Sequence, residues 1–517
     1  MFNISIYSFL LNFKTKTREI ETLVGQILNR ALKRGRQMRE YKLYFGGQWM
    51  DQTDGWIADD FNPMDGSLFA KVHMGGPTDI QRAVDNAQTA FPAWSNTPPD
   101  QRERILLKAA DCLAKIQDEA VETLICESGS AWQKAMGEVM GTIGILKTAA
   151  GECRRISSEV YEPVAEGNFS YSVRTPLGVV LAIAPFNYPL LLAMKKVAYI
   201  LAAGNTCILK PASATPACNL LIVKVFHEAG LPAGVLNVIP CKGSEIGDRL
   251  VEHPAVKAVT FTGSSQVGIE IAQRAAKHLK RYTMELGGKN PMIVLADFEV
   301  DQAVHLAGYG AFYHQGQVCM ATSRIIVEQP IYEEFCTKMI QRAQGMKIGD
   351  PHDHDTVIGP LIDEKQCAVI DAQIQDAVSK GARLLTGGHH NGPVYEPTVL
   401  ADVTPEMEIF YEESFGPVTN IVRAKDAEDA LRLCNDNRYG LSSALLTHNL
   451  EKAISLSRRM EIGKVHINDT SFVSGTVVPS GGFKMSGCGK EGGRYSIEEF
   501  TELKWVTIQY KEKKLPV

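Results

Sequence analysis

Two residues of this chain have types and settings suited to covalent chemistry: Cys319, in Gly316-Gln317-Val318-Cys319-Met320-Ala321-Thr322-Ser323, and Glu285, 34 residues upstream in Glu285-Leu286-Gly287-Gly288-Lys289. A thiol titrates near about pH 8.5, so a small help from a dipole or cation makes it a strong nucleophile, and a neighbouring carboxylate can serve as general base. The sequence holds 11 cysteines. Most are expected to be inert core residues; Cys319 alone lies between a polar turn and a small, hydroxyl-rich run.

Asn187, in Ala184-Pro185-Phe186-Asn187-Tyr188-Pro189-Leu190, follows an apolar strand-like run. Its amide either caps the next helix or donates to a developing oxyanion. Phe261-Thr262-Gly263-Ser264-Ser265-Gln266-Val267-Gly268 follows a strand and opens a helix, with Gly243 and Gly247 in and after the preceding strand-to-helix loop. Such a turn can meet phosphate with backbone N–H groups, although it lacks the GxGxxG pattern and also reads as a plain turn. Lys210, in Lys210-Pro211-Ala212-Ser213, adds a cation at a strand's C-terminal end, where α/β sheets bind ligands.

The elements that position these residues alternate. Apolar spacing predicts helical structure from Thr78 to Ile116, broken at Pro98-Pro99 and capped at Thr78-Asp79 and Pro99-Asp100. Tyr171 to Ile183 begins with alternation and runs into a buried parallel strand. Helix Leu190–Leu201, strand Thr206–Leu209, helix Ala217–Ala229, strand Val235–Ile239, helix Ser244–His253 and strand Ala258–Phe261 follow. That order predicts a doubly wound α/β domain. A second α/β series starts at Pro291, just after Glu285, and includes the strand from Ser323, helices Ile331–Gln344 and Glu364–Lys380, and the strand from Val418.

At 517 residues the chain is expected to divide into two or more domains. A net charge of -5 and a pI near 6.2 give no footprint for nucleic acid. No apolar run approaches a membrane span. Scattered cysteines without paired motifs point to a reducing, cytoplasmic setting. Residues 1–37, an apolar stretch followed by basic residues, read as an extension of unclear role rather than a targeting segment. Asp350-Pro351-His352-Asp353-His354-Asp355 offers metal-ligand types, but nothing in the loop closes a ligand set, so no metal is expected. His389-His390 reads the same way.

Taken together, Pro185-Phe186-Asn187-Tyr188-Pro189, Gly204 to Ser213, Phe261 to Ser264, Glu285 to Asn290 and Gly316 to Cys319 resemble the aldehyde dehydrogenase superfamily. Glu412 to Val418, Ile467-Asn468-Asp469 and Pro479 to Gly487 extend the resemblance in order over about residues 40 to 510. It implies a small-molecule aldehyde as substrate, NAD or NADP as cofactor, Cys319 as nucleophile, Asn187 and the Cys319 N–H as oxyanion donors, and Glu285 as the base that hydrolyses a thioester. It also implies Lys196 close to the active site, Glu413 on the nicotinamide ribose, Phe415 against the nicotinamide, Lys210 on the adenosine ribose and Ser264 at the pyrophosphate. Gly243, Gly247, Phe261, Gly263, Val267 and Leu286 complete the expected cofactor cleft. Ser213 departs from the glutamate common in NAD-preferring relatives, so either cofactor is expected.

Tyr188, Leu192, Tyr313 and Phe472 match or adjoin the family's substrate tunnel and imply an apolar or aromatic aldehyde, while Lys195 offers an anionic substrate as an alternative. The implied organisation is a Rossmann-like cofactor domain over 38–156 and 174–284, a catalytic domain over 285–496, and a small β element for oligomerisation over 157–173 and 497–517. That element implies a homodimer or homotetramer. Two other functions remain open: a CoA-acylating relative, against which Glu285 counts, and a non-catalytic scaffold, against which Cys319 counts.

Overall fold

The computed structural model describes residues 39–243 and 248–513. The expected extension over 1–37, and Gly247, lie outside the described residues. The chain divides into residues 1–40, of which Arg39 and Glu40 are described, and a compact unit Tyr41–Val517, to which everything below refers.

The continuous apolar runs form the buried centre of an eight-stranded sheet. Its order is Gly487–Cys488, Arg281–Glu285, Val256–Thr262, Val179–Ile183, Thr206–Lys210, Leu236–Val238, Leu43–Phe45 and Gln48–Met50. The inner strands are parallel, and their register aligns Ile183 with Lys210, Phe261 with Ile183, and Thr262 with Glu285. Lys210, Phe261 and Glu285 thus emerge along one carboxyl edge, the edge at which α/β sheets bind ligands.

Helices Pro189–Ala202 and Pro216–Ala229 supply the crossovers. The helical stretch after Thr78 does break at the proline pair, into Pro77–Ser95 and Pro99–Lys115. The N-cap of the first is Gly76, and Asp79, at the third helical position, accepts the N–H of Gly76 at 3.2 Å and of Thr53 at 2.9 Å.

Tyr171 to Ile183 is not one continuous run. Asn168–Pro176 pairs antiparallel with Thr501–Gln509 and Val160–Tyr161, whereas Val179–Ile183 enters the large sheet. Gly178, at φ +127°, makes the turn that separates them, a conformation disfavoured for other residues. The alternating half and the apolar half therefore serve different sheets.

Beyond Glu285 the chain enters a seven-stranded sheet of order Arg383–Thr386, Thr398–Ala401, Val418–Ala424, Thr322–Glu328, Asn290–Val294, Ser443–Leu446 and Val465–Ile467. Asn290 registers with Thr322 at the start of two parallel strands, so the residues just before Thr322 sit beside the exit from Glu285. Gly487–Cys488 returns to pair with Met284 and Glu285. The late sequence thereby closes over the junction.

Candidate active site

Cys319 sits on a backbone held in place from several sides. His314, Gln315 and Gly316 have φ of 52°, 54° and 70°, three successive left-handed residues. Such a run costs conformational energy and persists only where its surroundings hold it. A Cβ on Gly316 would lie 1.9 Å from the Gly416 carbonyl oxygen, so the position needs glycine. Gln315 Nε2 donates to the carbonyls of Gly129 and Pro360 at 2.9 and 2.8 Å, and Gln317 Oε1 accepts the Ile362 N–H at 3.0 Å. After the turn, Asn290 Nδ2 donates to the carbonyls of Cys319 and Ala321 at 2.8 and 3.0 Å.

Asn187 is 3% exposed and does not cap the following helix. Its Nδ2 donates 2.7 Å to the Gln317 carbonyl, two residues before the thiol. The capping work falls to Glu138, whose Oε1 accepts the N–H groups of Leu190 and Leu191 at 2.9 and 3.0 Å. Lys134 pairs with the same carboxylate at 2.5 Å and donates to the Asn187 carbonyl at 2.7 Å. His314 Nε2 also donates to that carbonyl at 2.9 Å. Burial, then the Lys134 charge, holds the His314 imidazole well below its ordinary pKa, so the ring is neutral.

Cys319 and Asn187 open onto a cleft of about 750 Å³ together with Lys210, Gly243, Phe261, Gly263, Ser264, Val267, Leu286, Glu413 and Phe415. Ser264 caps helix Ser265–Lys277, its hydroxyl accepting the Val267 N–H at 3.5 Å, so that helix N-terminus faces the cleft. A Cβ on Gly263 would lie 2.4 Å from the Phe261 ring, which leaves bare backbone at the turn. Exposed N–H groups, a positive helix end and Lys210 fit an anionic group such as a pyrophosphate. Phe186 and Phe415 meet edge to face at 5.7 Å and form an apolar wall nearer the thiol. Ser213 is exposed and does not line the cleft.

The charges behind the thiol were only partly expected. Lys196 is buried, and its Nζ donates to Glu491 Oε1 at 2.7 Å and Thr260 Oγ1 at 2.9 Å. Lys195, the cation offered for an anionic substrate, reaches the same carboxylate at 3.3 Å. Burial acts to raise the Glu491 pKa, but Lys196 and Lys195 outweigh it and hold the carboxyl at about 2. Burial, then the Glu491 charge, pushes Glu285 up to about 7. Burial also pushes the Cys319 thiol up to about 11, opposed chiefly by the Lys464 ammonium. Glu413 rises to about 7 through burial while its Oε1 accepts the Gly288 N–H at 3.2 Å.

Glu491 and Lys464 escaped sequence reasoning. Nothing in the sequence around Glu491 announces its two lysines. On the other side of Cys319, Tyr188, Leu192, Tyr313 and Phe472 converge with Val318, Met320 and Ala321 in one apolar cluster. Tyr313 stacks on Phe472 at 5.2 Å, and Tyr188 lies 6.3 Å from the same ring. A thiol between a phosphate-compatible cleft and an aromatic cluster, with a raised carboxyl nearby, can form and hydrolyse an acyl adduct.

A model of the aldehyde dehydrogenase family matches residues 49–506. A vanillin dehydrogenase of Pseudomonas fluorescens is 39% identical over 483 residues, covering 93% of this chain and 100% of the relative. The solved salicylaldehyde dehydrogenase of Pseudomonas putida G7, complexed with salicylaldehyde, superposes with a TM-score of 0.91 at 35% identity, covering 93% of this chain and 100% of that one. An NADP-dependent glyceraldehyde-3-phosphate dehydrogenase of Bacillus halodurans C-125, complexed with NADP, has a TM-score of 0.89 at 33% identity, covering 92% and 100%.

Proposed function

The chain belongs to the aldehyde dehydrogenase family and oxidises an aldehyde to the acid with NAD or NADP, and on that premise we propose that its substrate is an aromatic aldehyde attacked by Cys319. The observation that carries this reading is the placement of Cys319 between the cleft and the aromatic cluster of Tyr188, Tyr313 and Phe472. Aromatic walls favour a flat apolar ring over a short polar chain. The vanillin and salicylaldehyde enzymes among the relatives support it.

In this proposal the Cys319 thiolate adds to the carbonyl carbon and forms a thiohemiacetal. The Asn187 amide and the Cys319 N–H receive the oxyanion, the Gln317 contact holding the amide close to the thiol until then. Lys210, Gly243, Ser264, Glu413 and Phe415 hold the dinucleotide, which when bound accepts the hydride. Glu285 takes a proton from the water that hydrolyses the resulting thioester. Its raised pKa, about 7, suits a base working near neutrality. Lys196 acts at one remove, by fixing Glu491. A division into a cofactor domain ending at 284 and a catalytic domain beginning at 285 is part of this proposal, supported by the chain's passage from the sheet of Arg281–Glu285 to that of Asn290–Val294.

Assembly as a homodimer or homotetramer belongs to the same proposal. Leu503, Trp505 and Ile508 are exposed on the strand Thr501–Gln509, an apolar edge that a second copy would cover. A cytoplasmic setting is supported by 11 free thiols. Among the described residues no helix is long and apolar enough to cross a membrane.

The test is a panel of benzaldehyde derivatives and short aliphatic aldehydes assayed with both cofactors. Aromatic members should show kcat/KM higher by about tenfold or more, the scale expected for an aromatic contact. A preference for short aliphatic aldehydes would overturn the substrate assignment. Cys319→Ala should abolish oxidation while dinucleotide binding persists.

A further inference from the structure

The loop Asp350 to Asp355, whose own residues close no ligand set, meets a helix that supplies what it lacks. Helix Gln117–Ser128 carries Glu122 and Cys126 one turn apart on one face. His352 stands against that face: its Nε2 is 3.4 Å from Glu122 Oε2, and the Cys126 thiol donates to Glu122 Oε1 at 3.6 Å. One ligand atom from each residue lies within 4.8 Å of the other two. None of the three lines the cofactor cleft.

The imidazole is aimed. Asp350 Oδ1 accepts from His352 Nδ1 at 2.8 Å and from the His352 backbone N–H at 2.9 Å, which fixes the ring from behind and turns Nε2 toward Glu122 and Cys126. That Nε2 is sealed from solvent and has no hydrogen-bond partner of acceptable geometry. A carboxylate on the far nitrogen is the arrangement that orients histidine as a metal ligand and strengthens it as a donor. The loop is itself held. The Trp132 N–H donates to the Pro351 carbonyl at 2.9 Å, Gln133 Nε2 to the His354 carbonyl at 3.0 Å, and the His354 ring stacks on Trp132 at 3.8 Å.

We propose that Glu122, Cys126 and His352 form a binding site for a zinc-class divalent cation, separate from the aldehyde-oxidising centre. Ligand bonds of about 2.0 to 2.3 Å in a tetrahedron place ligand atoms roughly 3.3 to 3.8 Å apart, and the three ligand atoms, already within 4.8 Å of one another, reach that spacing by small side-chain shifts. A thiolate, an imidazole and one carboxylate select a borderline-soft ion over magnesium or calcium, which want oxygen ligands throughout. Three protein ligands leave the fourth position to water. The cation would clip helix Gln117–Ser128, which packs with the helices of the first sheet, to a loop of the second lobe. Without it, the same groups form an ion pair between His352 and two carboxylates.

The probe is Co²⁺, titrated into the chelator-treated full chain and followed by its thiolate charge-transfer absorption and tetrahedral d–d bands. One equivalent should bind and be displaced by Zn²⁺, and Zn²⁺ should raise the melting temperature. Cys126→Ser should lose the charge-transfer band, His352→Ala should bind about 10- to 100-fold more weakly, and Cys319→Ala should keep the band. Aldehyde oxidation by Cys126→Ser should equal that of the parent. Absence of the band at millimolar Co²⁺, or a band that survives Cys126→Ser and vanishes with Cys319→Ala, would overturn the site.

Discussion

Lys196 Nζ donates to Glu491 Oε1 at 2.7 Å, and both side chains are buried. Two lysines therefore hold Glu491 ionised, and its charge helps keep Glu285 up at about 7. A base works when deprotonated, so the rate of thioester hydrolysis should rise with pH through about 7. Glu491→Gln removes the negative neighbour and leaves the lysines, which favours ionised Glu285 and lowers its pKa. The acid limb of the kcat profile should then move to lower pH, even if the variant is slower. A limb that stays in place or moves to higher pH would show that Glu491 does not tune the base.

Lys464 is the leading favourable charge on the Cys319 thiol, and its Nζ contacts Met320 Sδ at 3.0 Å and Ser480 Oγ at 3.2 Å. Lys464→Met keeps the length of the side chain and removes the ammonium. The thiol pKa should rise, and because only the thiolate reacts, alkylation of Cys319 by iodoacetamide at fixed pH should slow by about tenfold for a rise of about one in pKa. An unchanged or faster rate would remove Lys464 from the activation of the nucleophile.

Much of this was legible from sequence where a short motif coincides with one strand end. Lys210, Gly263 and Asn187 all follow apolar runs that become adjacent parallel strands, so periodicity places them on one edge, whereas Glu285 ends a strand, Arg281–Glu285, too polar to be read from its pattern. Glu491 and Lys464 were not legible, because each reaches the site from a distant segment that closes over the junction. Glu138 was hidden for a related reason: it caps a helix that begins more than 50 residues later, a job sequence reasoning offered to Asn187. The division of Tyr171 to Ile183 between two sheets depended on the backbone angle at Gly178, which its flanking pattern does not encode.

Glu138 and Lys134 form a buried pair that also anchors Leu190, Leu191 and the Asn187 carbonyl. Glu138→Ala leaves a buried ammonium uncompensated and two helix N–H groups unpaired. Loss of one partner of a buried pair costs about 3 to 5 kcal/mol, so chemical denaturation should show a fall of that size. Lys134→Met with Glu138→Leu should recover much of it, because replacing both charges by apolar groups removes the unpaired ion. A single-variant loss under about 1 kcal/mol, the scale of a surface pair, would contradict the role given to this pair.

Ser213 lies three residues beyond Lys210, on the exposed turn after the strand Thr206–Lys210, and carries no charge that would repel a 2′-phosphate. Ser213→Glu places a carboxylate there that can accept from ribose hydroxyls and repels the extra phosphate. NADP-dependent kcat/KM should fall by about tenfold or more while NAD-dependent turnover is kept or improved, since one repulsive contact at an exposed site is worth about 1 to 2 kcal/mol. Steady-state kinetics with both cofactors and one aromatic aldehyde measure the ratio directly. Equal ratios in parent and variant would show that the adenosine ribose does not reach Ser213, and the expectation of dual cofactor use would lose its structural basis.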